Sequence, residues 1–428
     1  MSVTHLNSGL LGHGESIERL ETPRPVPALV GIRVRTVAAA EYHSVAVTAG
    51  GSALSWGYGG LGRLGHGDEE DVFSPREIAL PEEVRARGVA GGDGAVLAAA
   101  AGNCHTVLLC ASGLACSFGY SGSGRLGLGT RSNDSKQLSP AVISAVADVP
   151  LRAVAAGTYH TLLLSTAGVV YSCGEGGLGQ LGHGTDRNEA SPRPIEALCA
   201  IGLLATAVAA GRMHSICAAG DGRVFSWGEG QDGRLGHGDY ESSSVPRCVS
   251  GLHGVRVCAI SSVWEHTLAL SDSGRVYSWG LGLCGQLGHG DEEENVIAPK
   301  LVEGLQGALI GSVVAGAHHC LAVGVNGCAR RSTASHLPAN PTPPRHPPPQ
   351  LWSSPNPPCA GASTAGALAR PPRRIMLMPS GCALDTTSAA PCSMTASDST
   401  GPQGSPSQRR RGMGSCTSCC HPLAHATR

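Results

Sequence analysis

Lysine is almost missing: Lys136 and Lys300 stand beside 29 arginines. With alanine, glycine and proline abundant, this imbalance reads as nucleotide composition of the source genome and carries little about function. No run of 18 apolar residues exists, so no helix is expected to span a membrane. The first residues, MSVTHLNSGLLGHG, lack the basic stretch and apolar core of a secretory leader. An intracellular place, cytoplasmic or nuclear, is the expectation. Seventeen cysteines are present, but the eleven within residues 1–329 lie singly on strand-like positions and none forms a C-x-x-C pair. That distribution suits buried thiols in a reducing compartment and excludes a disulfide framework. Paired carboxylates, a nucleophile elbow and a single-copy metal motif are all lacking, which argues against hydrolytic or redox chemistry. No catalytic residue, metal or cofactor is expected. The glycine-rich loops GYGGLGRLG and GEGGLGQLG carry no Gly-Lys-Ser/Thr and no helix-forming segment follows them, so they read as turns and not as phosphate cradles.

Glycine is what the chain has in excess: 61 residues, roughly twice the usual ~7%. The glycines belong to a repeat with three marks. A histidine opens an apolar stretch at His43, His105, His160, His214 and His266. Thirteen residues later stand Trp56, Phe118, Cys173, Trp227 and Trp279. Nine residues further, a Leu-Gly ends a loop at Gly65, Gly127, Gly182, Gly236 and Gly288. Chance does not hold three marks in register over five copies.

Each copy reads as short strands around tight turns. The runs HSVAVT, HTVLLC, HTLLLS, HSICAA and HTLALS are too short for helices and suit buried strands. Two-residue turns such as Asp221-Gly222 follow, then half-buried strands such as RVFSW. After the Leu-Gly loop, a proline (Pro75, Pro140, Pro192, Pro246 or Pro299) marks a further strand, and a VAAG-like run leads to the next histidine. Four antiparallel strands in about fifty residues make one β-propeller blade, which must stack on neighbours to bury a core.

The strings VAAGTYHT, GRVFSWG and GRLGHGD, in that order, resemble the regulator of chromosome condensation repeat over about residues 9–328. The resemblance implies a propeller, normally seven-bladed, whose faces bind other proteins. It also implies two alternatives: guanine-nucleotide exchange on a Ran-like small GTPase, or kinship with the plant UV-B photoreceptor. The photoreceptor places tryptophans in successive blades where this chain has one, in Val263-Trp264-Glu265-His266-Thr267. An excitonically coupled cluster cannot form from one residue.

The two ends of the repeat region are complementary. Gly12 occupies a Leu-Gly mark and Pro23 the following proline mark, so residues 9–29 supply the second half of a blade. His319 opens a sixth copy, but Ser332 and Pro341 stand where its later marks should fall. The expectation is an all-β ring over residues 1–329: five whole blades plus one composite of the N- and C-terminal halves, six in all. An insertion at Val84–Ala95 lengthens the second repeat. Residues 330–428 hold 17 of the 28 prolines and are expected to form a disordered tail, whose abrupt start suggests a spliced or misassigned end.

Ten arginines against two aspartates in the tail leave residues 1–329 with a net charge of −9. The acids gather after the Leu-Gly marks: Asp68, Glu69, Glu70, Asp71, Asp239, Glu241, Asp291, Glu292, Glu293 and Glu294. Equivalent repeat positions share a face, so this is expected to be a negative rim that repels nucleic acid and favours a basic protein partner. The repeated histidines, and the LGHG set His13, His66, His183, His237 and His289, read as structural because symmetry holds them apart. Leu128 replaces one of the latter, which a metal site would not tolerate. Trp56, Trp227 and Trp279 read as core anchors between blades. The function expected is protein recognition by loops at one face, as a scaffold or regulator.

Overall fold

The computed structural model describes residues 9–14, 20, 22–86, 95–130, 135–290 and 294–331. They form six antiparallel sheets, five of four strands and a sixth of three. The first sheet consists of Val34–Ala39, His43–Thr48, Ala53–Gly57 and Val72–Glu77. The third shows the same pattern in Leu151–Ala156, His160–Ser165, Val170–Gly174 and Glu189–Pro194. Strands neighbour in chain order within every sheet, so each is a meander closed by tight turns. These are propeller blades.

The apolar run ahead of each histidine becomes the innermost strand. Innermost strands of consecutive sheets touch, and those of the first five line a central channel through Ala39, Ala101, Ala156, Ala210 and Val263. The histidine strand comes second and the aromatic strand third. The 13-residue spacing is a consequence of register. His160 pairs with Gly174 and Thr161 with Cys173, and the other whole sheets align alike. Gly174 has φ +117°, and a Cβ there would come within 2.5 Å of the Tyr159 carbonyl oxygen. That is why glycine always follows the third-strand mark.

The core lies between sheets. Trp227, Trp279, Phe118 and Cys173 are fully buried. Trp227 shares a core cluster with Leu162 and Leu164 of the third sheet, Ile195 just after it, and Val208 and Cys217 of its own sheet. Placing such residues where sheets stack lets each blade bury the apolar face it could not cover alone.

The ends differ from the sequence expectation in detail. The sixth sheet gains a third strand, Ala329–Arg331, past the point where the repeat pattern stops. Backbone pairing of Val323 with Ala329 and Leu321 with Arg331 holds it, and such pairing needs no side-chain pattern. The boundary expected after residue 329 therefore falls inside a strand. No fourth strand lies beside it among the described residues. Residues 22–26 have no regular structure and Pro27–Leu29 form a single 3-10 turn. A short helix, Glu82–Ala86, leads into the insertion expected at Val84–Ala95, of which residues 87–94 lie outside the described residues.

The N-terminal Gly9–Gly14 loop nonetheless seats on the first sheet as the trailing loops of the first four sheets seat on the sheets that follow them. Gly14 N donates to Phe73 O at 3.0 Å, matching Gly67 N to Leu138 O at 2.9 Å and Gly184 N to Ser244 O at 2.8 Å. Among the described residues the opposite end of this seam is the less covered one. The residue that begins the innermost strand is 0% exposed at Val96, 4% at Leu151, 1% at Ala205, 3% at Val257 and 3% at Ile310, but 38% at Val34. The turn glycine of each of the first five sheets packs against the next sheet, whereas no described residue lies within 4 Å of where a Cβ on Gly327 of the sixth would be. A cavity of about 160 Å³ lies within the seam, lined by Leu10, Ser44, Trp264, Ala315 and His319 among others.

Candidate functional site

The histidine marks form one inter-sheet circuit. His43 Nε2 meets Thr106 Oγ1 of the next sheet at 2.7 Å, His105 meets Thr161 at 3.0 Å, and His160 meets Ser215 at 2.8 Å. His214 meets Thr267 at 3.1 Å, and His266 meets Cys320 Sγ at 3.2 Å. The hydroxyls of Thr106, Thr161 and Ser215 themselves donate, at 2.7–2.8 Å, to the carbonyls of Arg63, Arg125 and Gln180. A hydroxyl that donates there accepts from the ring, which assigns the neutral Nε2–H tautomer to His43, His105 and His160. Burial pushes His43, His160 and His266 down to about 3, and His105 and His214 well below the ordinary histidine range. Uncharged, and spread one per sheet, they hold the ring together.

The tryptophans use the same carbonyls. Trp227 Nε1 donates to Gln180 O at 2.9 Å, Trp279 to Arg234 O at 3.1 Å, and Trp56 to Leu10 O at 3.0 Å. Because a backbone oxygen accepts, the residue before Leu-Gly is free to be Arg, Gln or Leu. The LGHG histidines act within a sheet: His66, His183, His237 and His289 each bond the serine ahead of the third-strand mark at 2.9–3.0 Å. Burial also pushes the Cys173 thiol up to about 12, which leaves it unreactive. Among the described residues no three of His, Cys, Asp and Glu gather as a metal would need.

The rim is less bare than its sequence suggests. Asp71 Oδ1 accepts from Gly59 N at 2.9 Å, so it belongs to the loop fold. Asp68 pairs with Arg76 at 3.6 Å, Glu69 with Lys136 at 2.6 Å and Asp239 with Arg247 at 3.0 Å. Glu70, Glu241 and Glu294 are exposed. Asp291, Glu292 and Glu293 lie outside the described residues.

What departs from the repeat collects where the turns before the histidines meet the Leu-Gly loops. Arg63 lies over Tyr42 at 5.4 Å and Tyr58 at 4.7 Å; Arg125 lies over Tyr120 at 4.9 Å and Tyr159 at 5.1 Å. Burial, then the Glu41 carboxylate, pushes the Tyr42 hydroxyl up. Trp264 takes φ +56°, a left-handed conformation that is rare for a bulky side chain. Its ring stands 5.5 Å from that of His318 and under Arg212 at 5.4 Å, while Arg212 Nη1 reaches Glu265 at 3.0 Å. Sequence reasoning singled out Trp264 but missed the arginine–tyrosine stacks. Their signal was the alternation of Arg and Gln before Leu-Gly, with tyrosines flanking the histidine and third-strand marks.

The profile of the RCC1-like domain matches residues 89–322, and that of the regulator of chromosome condensation (RCC1) repeat matches residues 50–109. The chain belongs to the RCC1-like family. The human E3 ubiquitin-protein ligase HERC2 is 33% identical over 317 residues, which are 74% of this chain and 6% of that protein. The Arabidopsis thaliana ultraviolet-B receptor UVR8 is 34% identical over 297 residues, 69% of this chain and 64% of the receptor. The chain thus spans a small part of the first and under two thirds of the second. Yeast Prp20p, solved in a study of its binding to Gsp1p and histones, shares the fold with a TM-score of 0.64 at 24% identity, covering 77% of this chain and 78% of Prp20p. Within the RCC1-like family the resemblance read from the repeat strings, and the propeller it implied, therefore hold. Among the described residues no helix is long and apolar enough to cross a membrane.

Proposed function

We propose that this RCC1-like ring is a protein-recognition module, a scaffold or regulator, that docks a partner on the end carrying the Leu-Gly loops. One observation carries the reading. The recurring His, Trp and hydroxyl residues are consumed in joining sheets, while Tyr42, Tyr58, Tyr120, Tyr159, Arg212, Trp264 and His318, which depart from the repeat, share that end. Exposed Glu70, Glu241 and Glu294 around it would steer a basic protein surface. The singly placed free cysteines suit a cytoplasmic or nuclear setting.

The test compares affinity capture by the native chain, by Arg212→Ala/Trp264→Ala/His318→Ala and by Glu70→Lys/Glu241→Lys/Glu294→Lys. Partners lost from either variant, with melting unchanged, support the reading; capture unaffected by both ends it. A Ran-type GTPase loaded with fluorescent GDP serves as the second arm. Catalysed nucleotide release would replace the scaffold reading with the exchange-factor one.

A further inference from the structure

Five of the six Leu-Gly loops carry a long polar residue just before the mark, and every one is buried. Arg63 is 2% exposed, Arg125 3%, Gln180 0%, Arg234 1% and Gln286 1%. The first two reach across the seam to the next sheet, Arg63 Nη1 donating to Asn103 O at 2.8 Å and Arg125 Nη1 to Thr158 O at 3.1 Å. The sixth copy of the position is Leu10, in the loop that seats on the first sheet. Its backbone keeps the shared role: Leu10 O accepts from Trp56 Nε1 at 3.0 Å and from Ser44 Oγ at 3.4 Å. Its side chain does not. Leucine is shorter than arginine, has no donor to send across the seam, and here is only half-buried.

Beside Leu10 lies the cavity of about 160 Å³ in the seam between the sixth and first sheets. Its walls are mainly apolar, with Leu10, Ala39, Val263, Trp264, Ala315 and Ala317 among them. A second departure from the repeat helps to empty it. Two residues before the histidine, the first five sheets carry Glu41, Asn103, Thr158, Arg212 and Trp264, where the sixth has only Ala317. Ala39, Val263 and Trp264 also line the central channel, so the two spaces share a wall. Exposed Glu41 and half-buried Trp264 and Ala317 bring the cavity to the surface at the loop end. Protein interiors are close-packed, and a void of this size leaves its lining short of contacts that a ligand could supply.

We propose that this cavity is an anchor pocket that takes one aromatic side chain of the partner protein docked on the loop end. The size fits, since an engineered apolar cavity of about 150 Å³ takes up benzene. Trp264, held at φ +56°, offers an aromatic wall. A cationic side chain gains little there, because Glu41 is exposed and already accepts from Asn103 Nδ2 at 2.9 Å. Interfaces concentrate their binding energy in such anchors, seated in apolar pockets within a polar rim. Glu70, Glu241 and Glu294, which would steer a basic surface, do not line the pocket, so steering and anchoring act through different residues.

This rests on the loop-end reading, and the two fail separately. Partners lost from Arg212→Ala/Trp264→Ala/His318→Ala but kept by Ala317→Leu retain that reading and end this one. The probe is 4-fluorotoluene, an analogue of the phenylalanine side chain, titrated into the full chain and followed by fluorine NMR. Saturable binding is expected, weakened at least about tenfold in Ala317→Leu and in Leu10→Arg, which fill the space. Both introduce side chains of a size that the other seams hold at the same repeat position, so neither should melt below the native chain. Thr158→Leu, at the Ala317 position of the third sheet and off the cavity, should bind within about twofold of native. No binding, or equal loss in Thr158→Leu, overturns the proposal. So does binding that appears only once residues 1–8 are removed, which would give the cavity to the chain's own leading segment. Self-association abolished by Ala317→Leu, with no partner captured, would give it to a second copy and overturns it too.

Discussion

A histidine that is neutral because it is buried makes the ring sensitive to acid. In the folded state His43, His160 and His266 are pushed down to about 3, while in the unfolded chain they titrate near the ordinary ~6.5. Above about pH 7 both states are unprotonated and stability does not depend on these groups. As pH falls below ~6.5 the unfolded chain takes up protons that the folded chain refuses, so stability declines, by up to about 1.4 kcal/mol per pH unit for each histidine. Urea midpoints should be equal at pH 7 and 8 and clearly lower at pH 5. A midpoint that holds at pH 5 would mean that the imidazoles are not buried neutral. Trp227 gives a second residue-scale expectation. Fully buried against the third sheet and bonded to Gln180 O, it should cost about 3–5 kcal/mol on Trp227→Ala, read as a large drop in melting temperature. Both were legible in the sequence, the histidine because five copies repeat it and the tryptophan because three of the five share it at one spacing. The stacks of Arg63 and Arg125 were not, because a cation–π contact depends on which rings the neighbouring turns present. No spacing rule encodes that.

At the scale of the element, hairpin geometry explains why so much of the sheet could be read. Fixed turns put His opposite Gly and Thr or Ser opposite the third-strand mark, so spacing in the chain is register in the sheet. The turn before the histidine is tighter still. A Cβ on Gly157 would lie 2.5 Å from His160 Cε1 and 2.6 Å from Gly211 O. Gly157→Val should therefore cost about 1–3 kcal/mol through overpacking, with the His160 bond to Ser215 the first casualty. Differential scanning calorimetry would see it, and an unshifted transition would show that the turn has room to move. The fifth sheet answers the same constraint differently: Val263 stands where glycine usually does, and the following Trp264 adopts φ +56°. The sequence marked Trp264 as unusual without revealing that its backbone is also unusual, since left-handed φ at a bulky residue is imposed by surroundings.

For the whole molecule, the repeat count could be read but the closure could not. Six copies of a histidine mark announce six sheets, whereas the fit of the sixth against the first depends on packing between residues almost 300 positions apart. The described contacts there are those of residues 9–14: Leu10 O accepts from Trp56 Nε1, and Gly14 N donates to Phe73 O. We expect deletion of residues 1–20 to lower the melting temperature of the ring, because it strips the first sheet of a loop that the second to fifth sheets keep. Truncation after Arg331 should leave melting unchanged, since the described core lies wholly before it. Equal tolerance of both would show that the N-terminal loop does not hold the seam.

That half-open seam gives a circular object a beginning and an end. In a stack coupled only to nearest neighbours, fraying starts where one neighbour is missing. Among the described residues, the half-exposed Val34 and the lack of a neighbour at Gly327 put that place between the first and sixth sheets. Amide hydrogen exchange should then run as two fronts. The strands Val34–Ala39 and Cys320–Gly324 would lose protection first, and the third and fourth sheets, farthest from either front, would lose it last. A partner bridging the seam would erase that gradient without touching any sheet directly, so the order of exchange becomes a readout of occupancy.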